Sequence, residues 1–511
     1  MPTLRHILLK RLPITTWLPR YKTSTFFRDL LAGFTVSLTE IPQAIAYAVV
    51  AGLTPEYGLY AAFMGGFTYA LFGSNKDINI GPTSILCLLI QPYVRKFGPD
   101  VAVLACFLSG VLIFLLGVLQ LGFVIEFFSY PVIAGFTCAA SLQIGSTQIK
   151  SLLGIPGPAD GFLDAWKAVF NNLDQIKMWD TVLGLVSILI LVVLKEIQKF
   201  GTLKYRSDWS KSRNILGIAT FMVSLARNAI IVIIGTVISY NFGKNPPFKT
   251  TGEVKAGFPP FGPPPFVPNC NGTWYSFGTV AQNFGPTLIF LPLVAILEAV
   301  SIGKAFSKGK ALDATQEMLA LGLANMAGSF VRSMPITGSF TRTAVNHSAG
   351  VKTQFGGVIT SVLALLAIAF LTPTFSYVPK ASLAAVIICA MFYLFDFGAF
   401  VVLWRAKKLD LVPFLTTLFC CLFISLEYGI LIGIGVNLLF VLYASARPKL
   451  LITHEKVTRG EIFLITPKDT LYFPAAEFLR DVVLACEGEN STVVVNGKEL
   501  RNVDVTVAKV R

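Results

Sequence analysis

The sequence predicts an all-α polytopic membrane protein followed by a small α/β tail, and three observations predict it. Of 511 residues, 54% are hydrophobic and 14% charged, where a soluble chain carries about 25% charged residues. Mean hydropathy is +0.68. Apolar runs near the ~20-residue length of a spanning helix recur along the chain, and Lys and Arg collect between them rather than within them.

The clear spanning segments run through 30–51, 57–73, 101–122, 125–147, 181–196, 217–240, 280–301, 313–331, 356–372, 380–395, 411–427 and 429–446. Two shorter apolar segments, 80–94 and 334–347, each open with Pro and small polar residues. Together they make about fourteen segments, an even number that returns both termini to one side.

Basic residues test that count. Arg5, Lys10, Arg11, Arg20, Lys22 and Arg28 precede the first segment. The next clusters are Lys195 to Arg213, Lys304/Lys308/Lys310, Arg405/Lys407/Lys408 and Arg447/Lys449, each after an even-numbered segment, as cytosolic loops should be. The opposite side carries the Pro/Gly-rich stretch Asn245 to Cys270 and then Asn271-Gly272-Thr273, a glycosylation sequon that requires a lumenal or extracellular loop. The net charge of +14 therefore reads as orientation, and nucleic acid is not an expected partner.

Other functions find little material. The eight cysteines show no CxxC spacing, and six of them (Cys87, Cys106, Cys138, Cys389, Cys420 and Cys421) lie in apolar runs. His6, His347 and His454 are far apart, so no metal site is expected, and no cofactor either. No nucleophile and base stand together in the apolar segments, so an enzyme is not expected. Met1 to Arg28 has no cleavable apolar core. The chain divides into a cytosolic segment (1–28), a first transmembrane repeat (29–240), an outer loop (241–279), a second transmembrane repeat (280–446) and a cytosolic tail (447–511). In the tail, Glu461–Thr466 reads as a strand, Pro474–Cys486 as an amphipathic helix and Ser491–Asn496 as a second strand. About 60 residues is marginal for a domain folding alone.

The two short segments carry the functional reading. One opens Asn79-Ile80-Gly81-Pro82-Thr83-Ser84 and the other Pro335-Ile336-Thr337-Gly338-Ser339-Phe340-Thr341-Arg342. They are third and tenth of fourteen, the same rank in two halves of seven, and an odd half-length inverts the second half. Paired, Gly/Pro-interrupted short segments point to a carrier's central site. A helix starting at mid-membrane presents unpaired N–H groups and a positive dipole end, so two such starts make an anion cradle. Thr83, Ser84, Ser339 and Thr341 add hydroxyls, and Arg342 adds a cation. The plainer alternative is that Gly and Pro are simply common in membrane helices.

Glu40, Gln43 and Tyr47, at i, i+3 and i+7, share a stripe of the first segment. Gln43 can donate to an anion and Tyr47 can close the site, although ordinary helix packing would use the same stripe. Glu298 lies in LPLVAILEAVSIGKAF, where a carboxylate is costly unless it is paired. It would take up a proton in step with the anion or pair with Arg342. Glu317 and Arg332 read as loop-end ion pairs.

Several motifs then stand in order: Ile41-Pro42-Gln43, Ala46-Tyr47-Ala48, Pro55-Glu56-Tyr57-Gly58-Leu59-Tyr60-Ala61-Ala62, Gly73-Ser74-Asn75-Lys76-Asp77, Gly81-Pro82-Thr83, Gly303-Lys304-Ala305-Phe306 and Gly338 to Asn346. In these the chain resembles the SulP sulfate-permease and anion-exchanger family. The resemblance implies a seven-plus-seven inverted repeat of core and gate domains moving as an elevator, a homodimer and a cytosolic STAS domain, here partial. It places the anion site at Gln43, Tyr47, Thr83, Ser84 and Ser339, Phe340, Thr341 and Arg342, with Glu298 where proton-coupled relatives carry an acid. Glu40 departs from the pattern and would repel anions unless it is protonated or turned away. The expected function is sodium-independent exchange of sulfate with chloride, bicarbonate or oxalate. A channel-like anion conductance and proton-coupled sulfate uptake are the alternatives. Plasma membrane and lysosomal membrane both satisfy the sequon.

Overall fold

The computed structural model describes residues 11–123, 128–155, 161–201, 220, 223–243, 246–252, 254, 257–270, 272–307, 312–457, 460–467, 471–487, 491–498 and 505–508. Its first membrane helices are α1 (Thr23–Val50) and α2 (Pro55–Phe72), followed by the two-residue strand β1 (Ile80–Gly81), α3 (Ser84–Phe97), α4 (Asp100–Val118) and α5 (Tyr130–Leu152). Next come α6 (Met178–Gly201), α7 (Arg227–Asn241), α8 (Thr287–Phe306), α9 (Ala314–Ser329), the strand β2 (Thr337–Gly338) and α10 (Phe340–Ser348). The remaining membrane helices are α11 (Phe355–Leu366), α12 (Lys380–Leu394), α13 (Leu411–Phe423) and α14 (Leu426–Ala446). Shorter helical turns between these are named by range where needed.

Six helices among the described residues have the length and apolar composition to cross a membrane: 100–118, 178–197, 287–306, 355–375, 380–406 and 428–446. In the spans within α6 and α14 only 22% and 17% of residues are buried, so their apolar flanks need lipid or another apolar surface as cover. The chain is a multi-pass membrane protein.

The helices form two packed groups. In one, α1, α2 and α11 pack together, α9 joins α2, and α4 lies along α9. Small residues let these backbones approach: a Cβ on Gly110 would meet the Met326 amide at 2.7 Å, and one on Gly322 would meet Phe114 at 2.6 Å. In the other, α5 packs against α12, α13 and α14, with α6 against α12. α7 touches both groups through α1, α6 and α12. Between them, β1 and β2 pair antiparallel, with Ile80 opposite Gly338 and Gly81 opposite Thr337. This pairing satisfies buried backbone that would otherwise be orphaned between the helices, and it brings the starts of α3 and α10 together.

Three segments differ from the sequence reading. The segment expected over 280–301 is split at Gly285, whose φ is +47°, and Pro286: Phe277–Phe284 is a separate short helix and α8 starts at Thr287. The segment over 356–372 passes through a π-turn at Ala367–Leu371 before reaching Phe375. In the tail an additional strand precedes the expected three elements. β3 (Leu450–Val457) pairs antiparallel with β4 (Gly460–Pro467), which lies parallel to β5 (Ser491–Val495) after α15 (Ala476–Cys486). The His454-Glu455-Lys456 run hides β3 from a hydropathy reading. Asn271, residues 202–213 of the basic stretch Lys195 to Arg213, and Arg5, Lys10, Lys308 and Lys310 lie outside the described residues.

Candidate functional site

The strand pair and the two short helices enclose the most informative cavity, of about 380 Å³. Thr83, Ser84 and Ile85 enter it from the start of α3, and Ser339, Phe340 and Thr341 from the start of α10. Tyr47 of α1 and Glu298 and Ser301 of α8 complete this wall. The facing wall comes from the other helix group: Tyr130, Phe136 and Thr137 of α5, Met391 and Tyr393 of α12, and Asp396 beyond it.

Both short helices begin without a side-chain cap. Thr83 and Ser339 have extended backbones that lead into their helices, but neither hydroxyl closes onto the first turn. The Thr83 hydroxyl instead donates to Glu298 Oε2 at 3.2 Å, and Ser339 and Thr341 pair their hydroxyls at 3.2 Å. The amides of both first turns therefore keep their donor capacity at the cavity, and both dipoles present a positive end. Among the described residues the lining contains no Lys or Arg, and its carboxyl groups are those of Glu298 and Asp396. Whatever attraction for an anion the walls exert comes from oriented N–H and O–H groups.

Arg342 stands behind the cradle. It is fully buried, and its Nε donates to Asn79 Oδ1 at 2.7 Å and Nη1 to the Pro82 carbonyl at 2.8 Å. Glu40 Oε1 lies 3.9 Å from Arg342 Nε, and Asn79 Nδ2 donates to Glu40 Oε2 at 3.1 Å. This buried cluster ties α1, the approach to β1 and α10 into one body. Gly81 belongs to it by space, since a Cβ there would collide with Glu40 Oε1 and come within 2.9 Å of Arg342 Nη2.

The structure thus separates residues that the sequence grouped. Tyr47, Thr83, Ser84, Ser339, Phe340, Thr341 and Glu298 line the cavity, whereas Glu40, Gln43 and Arg342 do not. Glu40 turns from the cavity toward Arg342. Gln43 is buried with its Oε1 lacking a hydrogen-bond partner. Glu298 bonds to Thr83 rather than pairing with Arg342. Glu317 is no loop-end ion pair: it is buried, taking hydrogen bonds from Tyr69 OH at 2.8 Å and from the Ser74 amide at 3.1 Å. Arg332 does pair, with Asp100 at 2.5 Å.

Sequence reasoning missed Ser301, which lies one turn from Glu298 and could have been found by helical spacing. It also missed Tyr130, Thr137 and Asp396. Tyr130 OH meets Asp396 Oδ2 at 3.2 Å across 266 residues of sequence, and no local pattern marks either residue.

A profile of the sulfate permease family matches residues 26–452. The chain is 41% identical over 507 residues to the sodium-independent sulfate anion transporter of Bos taurus, covering 98% of this chain and 83% of that protein. It is 32% identical to sulfate transporter 4.1, chloroplastic, of Arabidopsis thaliana, covering 92% of this chain and 68% of that one. Among solved structures, murine solute carrier 26 family member A9, an anion transporter described in the inward-facing state, aligns with a TM-score of 0.85 at 23% identity, over 100% of this chain and 86% of that chain. The transmembrane domain of the cyanobacterial bicarbonate transporter BicA aligns at 0.63 with 19% identity, over 82% of this chain and 98% of that domain. At these identities the structural likenesses bear on the fold alone.

Proposed function

The chain belongs to the sulfate permease family, a non-enzymatic transporter family, and on that premise we propose that it is a sodium-independent secondary carrier of sulfate. The observation that carries the reading is the pair of uncapped helix starts, α3 and α10, facing one cavity with hydroxyls and no full positive charge in its lining. Such a cradle reads charge and size, so chloride, bicarbonate and oxalate are the exchange partners proposed with sulfate. In this reading the body holding both helix starts moves against the α5–α12–α13–α14 group as an elevator, within a homodimer. The tail serves as a STAS-like cytosolic domain and both termini are cytosolic, in the plasma membrane or the lysosomal membrane.

Radiolabelled sulfate flux into proteoliposomes tests the proposal, with chloride, oxalate or nothing trapped inside. Trans-stimulation by chloride or oxalate is expected, unaltered by replacing sodium. Equal flux with an empty lumen would favour a channel-like conductance, and a steep sodium requirement would overturn the mechanism.

Glu298 favours a second coupling mode. A carboxylate in the cavity opposes a dianion, whereas its protonated form can donate to one. On that reading sulfate enters together with a proton on Glu298.

A further inference from the structure

At the far end of α3 from the cradle lies a second cavity, of about 420 Å³, whose character is the opposite of the first. Among the described residues, four cations line it and no acid does: Arg95 from α3, Lys150 from α5, Lys249 from the loop after α7, and Lys380 from the start of α12. Gln91 and Gln148 supply neutral amide donors, while the Thr147 hydroxyl is already spent on the Ile144 carbonyl at 2.8 Å, and the acceptor Gln91 Oε1 is buried with no hydrogen-bond partner. From Ser84 in the central cavity to Gln91 here is seven residues of α3, about 10 Å at 1.5 Å per residue.

This cavity is built rather than incidental. The Lys380 amide donates to the Lys249 carbonyl at 2.9 Å and the Thr251 amide to the Val378 carbonyl at 2.9 Å, which stitches the loop to the head of α12. The Lys249 amide donates to Asp180 Oδ1 at 3.0 Å, and the Lys177 amide to the Leu153 carbonyl at 3.0 Å. Lys150 is only 6% exposed and, among the described residues, has no ion pair with an acid. Lys380 opens α12, with no acid in that helix's first turn, so a cation sits at a positive dipole end. Burial and the neighbouring Lys177 hold the Lys249 ammonium below the ordinary lysine range, against the pull of Asp180 and with Lys380 adding to the repulsion. Arg95 is exposed and Lys249 and Lys380 are half-buried, so water screens much of their mutual repulsion; the buried Lys150 carries the cost that an anion would relieve.

We propose that this basic cavity is a second anion subsite, which captures small inorganic anions, divalent ones preferentially, at the outer end of the pathway. It rests on the carrier reading for its role, though not for its chemistry. The subsite raises the local anion concentration at the far end of α3 from the central cavity, and α3 links the two.

Two measurements on the full chain test it. Acylation of lysines by a succinimidyl ester in detergent is followed residue by residue by mass spectrometry, in sulfate or in gluconate of equal ionic strength. Sulfate should slow modification of Lys249 and Lys380 while leaving Lys407 unchanged. Equal rates in both salts would overturn the subsite. This result is independent of transport, so it stands or falls even if the wild-type chain moves no anion and the carrier reading fails. In cells, Lys150→Gln/Lys249→Gln should raise the half-saturating external sulfate concentration about fivefold with the maximal rate held. Half-saturation for efflux should not move, and Lys150→Arg should behave as wild type. An unchanged external value, or equal changes on both sides, would sink the proposal.

Discussion

Replacing Arg342 by methionine would leave Glu40 buried with a hydrogen bond from Asn79 and without the guanidinium beside it. At about 4 Å and an effective dielectric near 20, that attraction is worth about 4 kcal/mol. Breaking a buried pair from one side costs about 3–5 kcal/mol. The Pro82 carbonyl would also lose its donor, adding about 1–3 kcal/mol. In the double variant Glu40→Gln/Arg342→Met the uncompensated charge is gone, and about 3 kcal/mol should return. Thermal unfolding of the purified chain in detergent reads this directly: the double variant should unfold well above Arg342→Met and somewhat below wild type. Sulfate uptake measured in parallel should stay about tenfold low in both, because the cradle has lost the cation behind it. Recovery of uptake along with stability would assign Arg342 to positioning alone. A double variant no more stable than Arg342→Met would refute the argument that Glu40 and Arg342 stabilise one another.

Three further outcomes are expected. Wild-type sulfate uptake should fall as pH rises, because Glu298 gains negative charge beside a dianion, and Glu298→Gln should flatten that profile; an unchanged profile removes Glu298 from coupling. Gly81→Ala should cut folded yield sharply, because its Cβ needs space held by Glu40 Oε1 and Arg342 Nη2. Gly435→Ala, where a Cβ would meet nothing within 4 Å, should spare both folded yield and the Glu40–Arg342 coupling in the same cycle. Asn271→Gln should abolish a glycosidase-sensitive mobility shift in secretory-route expression; a wild-type chain with no such shift would remove support for the proposed orientation.

The sequence by itself determined that this is a multi-pass helical membrane protein and that two short segments are its unusual ones. Both properties are local, since apolar length, charge placement and Gly/Pro interruption are read within about 20 residues. It could not decide which polar residue faces which. Glu40 and Tyr47 share a helical stripe, yet one meets Arg342 and the other the cavity, because they stand about 10 Å apart along α1 and meet different neighbours. Asn79 and Arg342 meet across 263 residues, and Glu298 and Thr83 across 215, through the pairing of β1 with β2. Only the tertiary structure brings Lys150, Lys249 and Lys380 around one cavity, since each looks like an ordinary helix-end or loop cation in its own stretch of sequence. Contact between distant segments is set by packing, and packing leaves no periodic signature along the chain.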